Sequence, residues 1–103
     1  MYLKFEKNKI RFRISQPEAT ILLAKGLMAD SVSLPDGSSF VYRIEVTETD
    51  QNSAHLIDGI LTLKMTRLAI EYLINKPTKN GILFLQAGAC YIFEIDLRKP
   101  SHK

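Results

Sequence analysis

Residues 9–18, Lys9-Ile10-Arg11-Phe12-Arg13-Ile14-Ser15-Gln16-Pro17-Glu18, decide the fold, because they run a strand into a helix and the chain later repeats them in outline. Ile10, Phe12 and Ile14 alternate with Lys9, Arg11 and Arg13, the period of a strand with one apolar face. Ser15 with Glu18 three residues on makes a capping box, and Pro17 falls in the first helical turn, where its missing N–H does no harm. Moved along by 51 positions, Ile10, Phe12 and Ile14 fall on Leu61, Leu63 and Met65, and Ser15 falls on Thr66. The overlay carries residues 2–46 onto 53–97 without a gap. Gly37 meets Gly88, and Phe40, Tyr42, Ile44 and Val46 meet Tyr91, Phe93, Ile95 and Leu97. An internal repeat of this length sets the architecture ahead of any other feature.

Outward from that stretch, Lys7-Asn8 closes a hairpin that pairs Glu6 with Lys9, Phe5 with Ile10, Lys4 with Arg11, Leu3 with Phe12 and Tyr2 with Arg13, so the apolar pairs meet on one face. Asp58-Gly59, among the strongest hairpin signals, closes the matching turn and pairs Leu56 with Leu61 and Ala54 with Leu63. Helices are predicted over Gln16–Lys25, ended by Gly26 as a left-handed cap, and over Arg67–Asn75, stopped by Pro77. A second hairpin follows each: Ser31–Leu34 with Ser39–Thr47, and Ile82–Leu85 with Ala89–Leu97 about Ala87-Gly88. The expected fold is therefore α+β: two β-β-α-β-β repeats related by a pseudo-two-fold, sharing one core in a closed or nearly closed barrel-like sheet with two helices. Residues 1–103 are expected to form a single domain, with repeats at 2–46 and 53–97, a polar linker at 47–52 and a basic tail at 98–103.

No stretch approaches the roughly 20 apolar residues of a membrane span, and the N-terminus carries no signal-peptide h-region. One cysteine, Cys90, excludes an intramolecular disulfide. Together these point to a cytoplasmic location and no membrane. The net charge of +3 is compatible with an anionic partner without requiring one.

The residue types that carry chemistry are sparse. Two histidines, His55 and His102, and Cys90 have no metal-ligand spacing, so no metal and no cofactor are expected. Cys90 has no recognisable histidine partner, the carboxylates are dispersed beside basic residues, and no Gly-rich phosphate loop occurs, so no catalytic residue is assigned and the protein is read as not an enzyme. Two faces remain. Lys4, Arg11 and Arg13, with Lys9 and Tyr2 beside them, form a basic strand face that could hold phosphates, or could be ordinary charged surface. In the second repeat the outward positions are read as Ile57, Ile60, Ile82, Phe84 and Ile92, and strands apolar on both sides are usually covered on both.

The run Lys7-Asn8-Lys9-Ile10-Arg11-Phe12-Arg13-Ile14-Ser15-Gln16-Pro17-Glu18, followed by Gly26-Leu27-Met28, resembles a family of short, uncharacterised bacterial proteins that open with N-x-I-R-x-R-[LI]-[ST]-x-x-E. That resemblance implies no activity and no catalytic residue. The order hairpin, helix, hairpin is also similar to the swapped-hairpin unit of AbrB-type transcription factors, and two tandem copies resemble MraZ proteins, which implies DNA binding. The expectation is a small interaction module that self-associates, or meets a protein partner, through the apolar face of the second repeat. The alternative is an AbrB-like regulator whose Lys4, Arg11 and Arg13 contact nucleic acid.

Overall fold

Local chemistry places both helices and both first hairpins where the sequence puts them. A computed structural model describes residues 1–76, 78 and 80–96, and within these the chain runs β1 (Tyr2–Glu6), β2 (Lys9–Ile14), α1 (Gln16–Lys25), β3 (Leu27–Ser33), β4 (Ser39–Thr47), β5 (Ser53–Ile57), β6 (Ile60–Thr66), α2 (Arg67–Asn75), β7 (Ile82–Gln86) and β8 (Ala89–Ile95). The Ser15 hydroxyl accepts from the Glu18 N–H at 3.2 Å while the Glu18 carboxylate accepts from the Ser15 N–H at 2.8 Å, so the capping box is complete. Thr66 caps α2 by accepting from the Ala69 N–H at 3.1 Å. Gly26, at φ 81°, turns the chain at once, and β3 opens at Leu27 rather than at the expected Ser31. The stop at Pro77, the strand end at Leu97 and the tail at 98–103 lie outside the described residues.

Both first hairpins keep the expected register, with Leu3 opposite Phe12 and Ala54 opposite Leu63. The second hairpins are exchanged between repeats. One sheet has the order β1-β2-β8-β7 and the other β3-β4-β6-β5, so each joins one hairpin from each repeat through a parallel pair. The α+β repeat with two helices is as expected, but its strands form two four-stranded sheets that do not close into a barrel. One core lies against both sheets and both helices: Phe12, Ile14, Phe93 and Ile95 from the first sheet, Ile44, Leu63 and Met65 from the second, Leu22 from α1 and Ile70 and Leu73 from α2. Burying each of these side chains is worth roughly 1.5–3 kcal/mol, so the repeats are held together mainly by apolar surface they share.

At the seam between edge strands β5 and β7, a side chain replaces a ladder. The Gln86 amide accepts from the Ala54 N–H at 2.9 Å and donates to the Ala54 carbonyl at 2.6 Å, the paired bonds that a neighbouring strand would supply.

The repeat is not uniform at 51. Lys9 lies beside Cys90 while its counterpart Ile60 lies beside Val41, so β8 corresponds to β4 at a spacing of 49. Val41 faces Ser31 and Cys90 faces Leu85, so β7 corresponds to β3 at 54. The connection after α2 is longer than that after α1, and the Ala87-Gly88 turn is shorter than the Leu34–Ser38 loop. An even slip leaves β8 side chains on their expected faces, whereas an odd slip turns every β7 side chain over.

Candidate interaction surfaces

The register of the first sheet assembles its outer face in rows. Tyr2, Arg13 and Glu94 share one row, Lys4, Arg11, Ile92 and Leu83 the next, and Glu6, Lys9, Cys90 and Leu85 the third. Repeat one thus supplies a charged half and repeat two an almost wholly apolar half.

In the charged half, the three expected phosphate ligands come together but are already engaged. Glu94 is buried between Arg11 and Arg13; the Arg11 guanidinium donates to one carboxylate oxygen and Arg13 Nε donates to the other at 3.0 Å. Glu6 lies 3.5 Å from Lys4 and 3.7 Å from Arg11, and the Arg13 guanidinium sits 5.3 Å from the centre of the Tyr2 ring. The charged half is therefore a network in which Glu6 and Glu94 engage Lys4, Arg11 and Arg13, rather than a face of free cations. Sequence reading misses Glu94 because its partners are 81 and 83 residues away, and only the parallel pairing of β2 with β8 brings them to it.

The five apolar positions expected on one outer surface are divided by the fold. Ile82 and Phe84 face inward and pack against the core, a correction that follows from the odd slip of β7. Leu83 and Leu85 take their place outside, 56% and 75% exposed. Ile92 does lie on the outer face, between Arg11 and Leu83, but is only 4% exposed. Ile57 and Ile60 stand on the outer face of the other sheet, in the row of Ser31 and Val41. The apolar patch of the first sheet is therefore Leu83, Leu85, Cys90 and Ile92. The signal that finds it is the Ala87-Gly88 turn: with two residues in the loop, Gln86 must pair with Ala89 and Leu83 with Ile92.

Among the described residues no three His, Cys, Asp or Glu side chains come together as metal ligands. His55 lies on the outer face of the second sheet, its Nε2 3.0 Å from the Ser53 hydroxyl. In the same row Arg43 Nε donates to the buried Thr62 hydroxyl at 2.9 Å. His102 lies outside the described residues. No helix among the described residues is long and apolar enough to cross a membrane.

A further surface surrounds α2. Its inner stripe buries Ile70 and Leu73, while Leu68 and Tyr72, one turn apart, face outward. They line a groove of ≈ 630 Å³ with Asn52, Asn75 and Ile82. A second groove of ≈ 390 Å³ shares Thr66, Leu68 and Glu71 with it and runs along residues 47–50.

Residues 1–85 match the family described as "Family of unknown function (DUF7009)". No curated protein and no solved structure matches the chain.

Proposed function

The chain belongs to that family of unknown function, and we propose that it is a small cytoplasmic, non-enzymatic interaction module that self-associates through the outer face of β7 and β8. The observation that carries this reading is the edge strand Ile82-Leu83-Phe84-Leu85, whose inner pair packs on the core while its outer pair stands in solvent. The edge of this strand is turned to β5, where Gln86 bonds Ala54, so a second copy would meet its outer face rather than extend the sheet. Two copies meeting about a two-fold axis would bring the same Leu83 and Leu85 from each to a shared apolar contact. Light scattering at tens of micromolar tests this. Wild type is expected to be dimeric, and a Leu83→Ser/Leu85→Ser variant monomeric with an unchanged circular dichroism spectrum. A wild-type monomer throughout that range overturns the reading.

A second reading, nucleic-acid binding of AbrB or MraZ type, is favoured by the exchange of hairpins between the repeats. Its phosphate contacts would be Lys4, Arg11 and Arg13. Their engagement with Glu94 and Glu6 makes it the weaker of the two. It requires affinity for random duplex DNA that falls steeply with salt and is lost on Arg11→Ala. Absence of binding at low salt removes it.

A further inference from the structure

We propose that the outer face of α2 is a docking site for a basic peptide segment of another protein that carries one large apolar anchor. This surface includes Ile82 of β7 but neither Leu83 nor Leu85, and does not depend on their role. Leu68 is 78% exposed, the highest value among the large apolar side chains described, and Tyr72 stands one helical turn away at 56%. Solvent-facing positions of an amphipathic helix ordinarily carry polar residues, so a Leu-Tyr pair bordering a groove of ≈ 630 Å³ is a seat for an apolar side chain. The adjoining groove supplies the charge. Its described lining carries three carboxylates, Glu48, Asp50 and Glu71, and one cation, Arg67. Arg67 is held by Glu48 at 3.6 Å and donates to the Leu23 carbonyl at 3.3 Å, so it does not cancel the remaining acids. In a chain of net charge +3 this concentration of acid selects a partner of the opposite sign. The anchor would lie on Leu68 and Tyr72, and flanking Lys or Arg residues would face Asp50 and Glu71.

The test uses the full chain and three dye-labelled ten-residue peptides read by fluorescence anisotropy: a Lys/Arg-rich peptide with one central Trp, the same peptide with Ala for Trp, and a Glu-rich peptide with the Trp. The first is expected to bind at least about tenfold more tightly than either control, a separation of about 1.4 kcal/mol. Leu68→Ser and Glu71→Lys are each expected to weaken it by a similar factor, with the fold verified by circular dichroism. The Leu83→Ser/Leu85→Ser variant should bind as wild type. Equal binding of the acidic peptide, wild-type affinity in the Leu68→Ser variant, or no binding below millimolar concentration overturns the proposal. So does conversion of a dimer to a monomer by Leu68→Ser, which would make a second copy of this chain the occupant.

Discussion

Glu94 shows how much one side chain can alter the reading of a surface. On paper it is one acid near the end of an apolar strand, and Lys4, Arg11 and Arg13 form a free basic face. In the folded chain its buried carboxylate is gripped by Arg11 and Arg13, and Glu6 engages Lys4 and Arg11. Exposed ion pairs contribute little to stability, but removing the buried partner of two guanidinium groups is a different perturbation. Glu94→Gln keeps the shape and removes the charge, and is expected to cost about 1.5–3 kcal/mol in chemical denaturation, the range for hydrogen bonds to charged groups. A loss below about 0.5 kcal/mol would put this network with ordinary surface pairs. No pattern in the strand itself identifies the partners, because they come from the other repeat.

At the scale of elements, local signals set the helices and the first hairpins. Ser15 with Glu18, Thr66, Gly26 and the Lys7-Asn8 and Asp58-Gly59 turns act within a few residues of themselves, and both helices and both first hairpins follow from them. Strand β7 does not. Ile-Leu-Phe-Leu has no alternation to say which side is inner, and the 51-residue overlay laid Ile82 and Phe84 on Ser31 and Ser33, which face outward. The corrected correspondence depends on the connection that ends at Gly81. A Cβ at Gly81 would collide with the Phe93 carbonyl, and its φ of 63° is left-handed. Gly81→Ala is therefore expected to destabilise by about 2 kcal/mol or more, through both clash and backbone strain. Gly88, with a similar φ but open space around it, should lose only the strain term, about 1 kcal/mol. Thermal unfolding of the two variants side by side tests the order, and an equal effect would contradict the close approach at Gly81.

For the molecule as a whole, the repeat and the shared core were legible from hydrophobic pattern, but not which hairpin joins which sheet. Parallel pairing of β2 with β8 and β4 with β6 is set by contacts between distant segments, to which a period-two pattern is blind. That exchange gives the first sheet an outer face charged on the side of one repeat and apolar on the side of the other. We propose that the apolar side, with Leu83 and Leu85, is where two copies meet. Cys90 stands directly opposite Leu85 in this patch and is the only cysteine in the chain, so its own thiol reports on the contact. The direct measurement is the rate of Cys90 alkylation as protein concentration rises from about one to about one hundred micromolar, with light scattering on the same samples. Alkylation is expected to slow as the dimer forms and to stay constant in the Leu83→Ser/Leu85→Ser variant. A rate independent of concentration, whether the protein remains monomeric or dimerises, would contradict it.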